Sequence, residues 1–309
     1  MIWIADRNRE QGELVAETFR TAEAVPREGR AVIVGGLPGA PKEAALRRHS
    51  VDRSRYLTVG VDGVLAMMAA RQLIPEVRGR SPLAAADLVH AEAQYLAKRI
   101  ALAAVNDGWN VVILDVSLVS RPSAESWAYA LRFADYAVTA LFADISIGEP
   151  AAWSLAACQR GEEEYQQGRG YGGRYIPPEA IRALTGLAVT GARSSIRWVS
   201  GAEPASVTAG TARGGGLPGA AVGAMISAYR RGQLGLEGLG LEFRARRWPE
   251  VPSACPSGLE QAGPAIDDLE PYVPGSFDDV VLAYDLGRLS DDEYEFLAEA
   301  AACSAPGSS

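Results

Sequence analysis

Short apolar runs alternate with longer amphipathic stretches through the first half of the chain. Ala31–Val34 (AVIV), Tyr56–Val61 (YLTVGV), Asn110–Leu114 (NVVIL) and Tyr136–Ile145 (YAVTALFADI) read as strands. Residues 1–29 are polar and helical in flavour, with Pro26 and Gly29 as breakers before the first strand. A helix is expected from Glu43, and a long one from Pro82 through Ala104, with apolar positions at Leu88, Ala91, Tyr95, Leu96 and Ile100. Asn106-Asp107-Gly108 supplies its stop. A further helix covers Ser123–Phe133. Strands alternating with helices predict an α/β domain with a mainly parallel sheet, P-loop NTPase-like, and Ala31–Val34 as a central strand.

After the fourth strand come a helix carrying Arg160, a loop rich in Gly and Arg (Arg169, Arg174), and Pro177-Pro178 opening another helix. The arginines form either a lid that neutralises phosphate or an ordinary solvated surface loop. Ile196–Val199 reads as a last strand, and residues 201–220 as a Gly/Ala/Pro/Thr linker. Two stretches then echo each other, AYRRGQL from Ala228 and AYDLGRL from Ala283, each a helix, a Gly stop and a new start. Ser290 and Glu293 form a capping box opening the last helix. The expected organisation is a domain over 1–200, the linker 201–220, and a smaller, loosely tied region of αα-hairpins over 221–309.

At 309 residues the chain can bury a full core and carry a second unit. A net charge of −8 argues against nucleic-acid binding. Three widely spaced cysteines without a CxxC fit a reducing, cytoplasmic setting. With two histidines, a metal centre built on three is excluded, and no metal site is expected in the protein itself. The N-terminus turns polar at once, so no signal peptide is expected. No apolar run is long enough to span a bilayer, so no membrane partner is expected.

The chemistry concentrates in the stretch AVIVGGLPGAPKEAAL, Ala31 to Leu46. Strand, Gly-rich loop and helix, with a Lys at the loop's end, is the layout of a phosphate-binding P-loop. Gly36 and Lys42 fit the pattern, but Pro41 stands where the second Gly belongs and Glu43 where the hydroxyl belongs. Proline offers no N–H and a fixed φ. Glutamate brings negative charge towards phosphates, or holds the metal itself. The competing reading is a plain Gly-Pro turn. Asp62, after the second strand, is either a carboxylate at the ligand-binding edge or a helix-capping residue. Glu92 borders the long helix's apolar stripe, reaching solvent or pointing inward.

Four stretches taken together, GGLPGAPK, TVGVDGVL, LVHAEAQYLAKRI with GWNVVILDVSL, and GGRYIPPEAI, resemble the zeta toxin family of P-loop kinases over residues 25–190. The resemblance implies an ATP- and Mg²⁺-dependent kinase acting on nucleotide sugars of the UDP-N-acetylglucosamine type, with toxin–antitoxin biology and a protein partner. It implies that Gly36, Gly39, Lys42 and Glu43 lie on the nucleotide. Asp62 would be the general base, Arg160 and Arg174 the phosphate-stabilising arginines, and Glu92 and Ser117 the substrate contacts. The departures are Pro41, Glu43, Gly60 at the first position of the family's Asp-x-Asp, and Val116 before Ser117. Two function classes follow: an active small-molecule kinase, and a degenerate, pseudokinase-like module that binds a ligand or protein without phosphoryl transfer. A live site requires Lys42, Asp62, Arg160 and Arg174 to converge on one cleft at the C-terminal edge of the sheet, with Glu92 facing the same space.

Overall fold

The computed structural model describes residues 5–40, 42–114, 121–143, 150–182, 218–249 and 275–303. The α/β part runs α1 (Ala5–Thr21), β1 (Arg30–Gly35), α2 (Lys42–Arg48), β2 (Leu57–Val59), α3 (Val61–Ala70), a 3₁₀ stretch (Leu83–Val89), α4 (His90–Asn106), β3 (Val111–Leu114), α5 (Arg121–Phe133), β4 (Ala137–Phe142) and α6 (Pro150–Gln166). The strands form one four-stranded sheet in the order β2-β3-β1-β4. Every pairing is parallel, and Val32 of β1 stands level with Val112 and Thr139. This is the parallel α/β architecture expected, flanked by helices, with β1 an inner strand.

The continuous apolar runs follow from burial of the sheet on both faces. Ala31, Ile33, Val111, Ile113, Val138 and Ala140 share one core with the helices α3, α4 and α5. Val32, Val34, Val112 and Leu141 share a smaller one with Leu46 of α2. The chain leaves β1 towards β2 and leaves β3 towards β4, so its direction reverses between the adjacent strands β1 and β3. A crevice opens at the C-terminal ends of strands at such a point, and α/β proteins use it for ligands.

Two expected boundaries move. The second strand stops at Val59, because the chain turns into α3 at Gly60. A Cβ there would stand 2.5 Å from the Leu114 carbonyl oxygen, so only glycine fits against the end of β3. Asp62 therefore lies in the first turn of a helix rather than at a strand end. The long helix is two elements, a 3₁₀ stretch and then α4 from His90. Its C-terminus is as expected. Trp109 N–H bonds the Ala104 carbonyl and Gly108 N–H that of Val105, a Schellman stop.

The sequence echo in the C-terminal part is the same stop used twice. α7 (Pro218–Arg230) leads to α8 (Leu236–Ala245), and α9 (Asp278–Asp285) to α10 (Asp291–Ala302). Gly232 and Gly287 take positive φ values of 69° and 63°. In each copy the next N–H closes on an alanine carbonyl, Gln233 on Ala228 and Arg288 on Ala283. The two hairpins are those expected. α8 packs along α10 and α7 along α9, around Ile226, Leu239, Phe243, Val280 and Leu297.

The expectation of a loosely tied region gives way. Leu282 and Leu286 of α9 belong to the main core. The fully buried Asp279 carboxylate accepts from Tyr129 Oη at 3.0 Å, and burial followed by that carboxylate pushes the phenol well above its usual range. Arg288 donates to the Phe133 carbonyl at 2.8 Å and lies over its ring. Residues 218–220, expected in the linker, belong to α7. The rest of that linker and the strand expected over Ile196–Val199 lie outside the described residues.

The capping box of Ser290 and Glu293 is present, and Tyr229 Oη also donates to Glu293. These bonds, that from Tyr229 first, hold the Glu293 carboxyl below its ordinary value of 4.5. A depressed carboxyl contributes stability above its unfolded pKa and loses it as pH falls through the folded one. Glu293→Gln is therefore expected to lower the melting temperature at pH 7. The gap from the unaltered protein should shrink as pH falls below 4.5 and on through the lowered folded pKa, as read by thermal melts across pH. A gap that stays constant with pH would contradict the assignment.

Candidate functional site

The loop after β1 has the place of a P-loop but not its open backbone. Leu37 is fully buried. Ala40 N–H bonds the Leu37 carbonyl at 3.0 Å, and Lys42 N–H bonds the Ala40 carbonyl at 2.8 Å. In an anion cradle those amides point at the ligand. Position 41, a proline, has no amide hydrogen to add. Gly39 is required by packing. Its Cβ would meet the backbone of Trp153 and Ser154 on α6 at 2.6–2.8 Å. A Cβ on Gly36 would sit 2.9 Å from that of Ala143. Lys42 opens α2 and is half-buried. Glu43 beside it pairs with Arg53, an exposed contact. At these positions the residues do not fit a triphosphate with its Mg²⁺ ion: the Ala40 and Lys42 amides are engaged within the loop, and the carboxylate at the hydroxyl position faces a guanidinium.

The predicted residues that do meet are Asp62 and Arg174. Arg174 Nη1 lies 3.4 Å from Asp62 Oδ1, Nη2 lies 3.3 Å from His90 Nε2, and Nε lies 3.9 Å from Asp87 Oδ1. An arginine only donates, so His90 Nε2 is the acceptor and that nitrogen is unprotonated. The arginine side chain is 14% exposed, against 75% for Asp62. Arg174 Nε is buried and makes no hydrogen bond among the described residues. That nitrogen faces the Asp87 carboxylate beyond hydrogen-bond reach, so the guanidinium has a donor not used in a hydrogen bond. Exposed Leu88 and Tyr175 stand in the same two segments.

Glycine packing fixes this arginine. The loop bearing Gly172 and Gly173 lies flat on α6 opposite Gly161, whose Cβ would meet the Gly172 carbonyl at 2.6 Å. Glu162 of α6 accepts from Gly173 N–H at 2.9 Å and from the Ser81 hydroxyl. Leu83 N–H bonds the Tyr171 carbonyl. The Arg-rich loop is pinned between α6 and the 3₁₀ stretch rather than being a free lid. Burial, then Glu162, pushes the Cys158 thiol up.

Arg160 and Glu92 make no bond to this cluster among the described residues. Arg160 is exposed and makes no ion pair or hydrogen bond among the described residues. Glu92 points inward, 2% exposed, but towards α1. Arg7 grips it through Nε and Nη2, both at 2.7 Å, and Gln11 Nε2 adds a third bond at 2.7 Å. Arg7 also donates to the Leu73 carbonyl, and its pKa is raised, chiefly by the bond to Glu92. Ser117, with Asp115, lies outside the described residues. Sequence reasoning missed Asp87 and His90. Their i, i+3 spacing, ahead of a polar helix start, was the available signal.

No family model matches the chain, and no curated protein does. A solved structure from "Molecular and structural characterization of the PezAT chromosomal toxin-antitoxin system of the human pathogen Streptococcus pneumoniae" is similar, with a TM-score of 0.40 and 13% identity. The match covers 61% of this chain and 76% of that one. Among the described residues no helix is long and apolar enough to cross a membrane, and no group of three or more His, Cys, Asp and Glu could hold a metal ion.

Proposed function

We propose that this chain is a zeta-toxin-like P-loop kinase fold that binds a ligand without transferring phosphate. One observation carries the reading: the amides of Ala40 and Lys42 are bonded within their own loop. An anion cradle rebuilt that way has lost two of the donors that would stabilise charge during phosphoryl transfer. The ligand contact that remains is Arg174, buried, with a donor unused. The ligand class the family resemblance supplies is a nucleotide sugar, whose diphosphate would displace Asp62 from the guanidinium. Asp62 is exposed and free to swing away.

Calorimetry tests both halves. ATP, with or without Mg²⁺, is expected to show no binding tighter than about 1 mM. UDP-N-acetylglucosamine is expected to bind, and Arg174→Ala to weaken it by about tenfold or more, the loss of a charge-assisted pair. Transfer of label from radiolabelled ATP to the nucleotide sugar, abolished by Lys42→Ala and Asp62→Asn, would overturn the proposal in favour of an active kinase.

A further inference from the structure

A cavity of about 290 Å³ lies at the other end of the sheet, by the start of β1. Its origin is a mismatch of lengths. The seven residues of α2 span about 10 Å, whereas the six of β1 span about 20 Å. The helix covers the half of the strand nearest the loop, where Val34 meets Leu46. Over the other half the sheet face is left as a floor of Val32 and Thr139, with Leu141, level with Val34, at its border. The chain returning from α2 builds the wall, with Val51 and Tyr56.

The polar groups here are unevenly paired. Glu28 is saturated: Arg55 at 2.8 Å, Arg30 at 3.2 Å and Asn110 Nδ2 at 3.3 Å all bond its carboxylate. Asp52 is held by the amide and hydroxyl of Ser54. By contrast, among the described residues Glu28 is the ion-pair partner of both the Arg30 and Arg55 guanidinium groups, with the Asp52 carboxylate also near Arg55, and both side chains are about half exposed. The ring nitrogens of His49 and the hydroxyls of Tyr56 and Thr139 have no hydrogen bond among the described residues. Donors therefore outnumber acceptors around an apolar floor, the composition of a small-ligand site.

We propose that this cavity binds a small carboxylic acid with an apolar body, the body on Val32 and Leu141 and the carboxylate on Arg30 and Arg55. The site is separate from that at Arg174 and independent of the function proposed for it. Bidentate recognition of carboxylate by guanidinium gives the orientation.

Titration of the full chain with phenylacetate, followed by protein-observed NMR, tests it. Saturable shifts are expected at residues lining the cavity. Phenylacetamide, the same shape without the charge, should bind about tenfold more weakly. Arg30→Ala with Arg55→Ala should remove that preference, and Thr139→Phe, filling the floor, should abolish binding. If circular dichroism shows Thr139→Phe unfolded, Val51→Trp blocks the cavity from its wall with the same expectation. Absence of saturable binding, equal binding of acid and amide, binding that survives the filled cavity, or binding lost in Arg174→Ala would each overturn the proposal.

Discussion

Replacing Glu92 with alanine is expected to destabilise the protein by about 3–5 kcal/mol, the usual loss when one partner of a buried ion pair is removed. The carboxylate is 2% exposed and accepts three bonds of 2.7 Å from α1. Without it the Arg7 guanidinium, 19% exposed, keeps a carbonyl partner at Leu73 and loses its main counter-charge. The guanidinium does not neutralise, because its pKa is far above any working pH. The strain therefore falls on α1, which must lift from α4 to let water reach Arg7. Urea denaturation measures the loss directly, and the double variant Arg7→Met, Glu92→Leu should recover much of it, since an apolar pair of similar volume replaces two desolvated charges. The same experiment separates this role from the substrate contact that the family resemblance implies. A residue held only for a ligand would cost little stability when removed, so a loss under about 1 kcal/mol would sink the structural reading.

What was legible in the sequence is what local physics dictates. The strands β1 and β3 are continuous apolar runs because both faces of the sheet are covered, and runs survive without context. Gly108, Gly232 and Gly287 stop their helices because a Schellman turn needs a left-handed residue at one fixed place. Of the convergence expected for Lys42, Asp62, Arg160 and Arg174, the structure shows the contact of Asp62 with Arg174. What was not legible depends on distant partners. Glu92 and Arg7 are 85 positions apart, and nothing in the polar helix that carries Arg7 marks it as inward-facing. The tie between α9 and the sheet layer rests on Asp279 finding Tyr129, 150 positions away. Gly60 looked like a lost acid, but the constraint is the Leu114 carbonyl, which a strand-by-strand reading does not see. The Gly-rich loop after β1 showed its flanking elements, but the bonds of the Ala40 and Lys42 amides within the loop are not written in its composition.

Gly173→Ala is expected to cost about 1–3 kcal/mol, the range for forcing atoms into a packed site, and to withdraw Arg174 from the candidate site. A Cβ at position 173 would lie 1.9 Å from the Cys158 carbonyl oxygen, inside any non-bonded contact. The obstacle is helix backbone, which cannot yield as a side-chain tip can, so the loop has to rise. Rising breaks the bond from Gly173 N–H to Glu162 and carries the next residue, Arg174, away from Asp62, Asp87 and His90. The His90 ring then loses the guanidinium at its Nε2, so its NMR signals should move in Gly173→Ala as they do in Arg174→Ala, and binding of UDP-N-acetylglucosamine should fall in both. Gly12→Ala is the control. That glycine is in α1 with nothing near its Cβ direction, and alanine there should stabilise the helix by about 0.5–1 kcal/mol. If Gly173→Ala is as stable as the unaltered protein and leaves the His90 signals in place, the glycine packing does not position Arg174, and the site is held by its ion pairs alone.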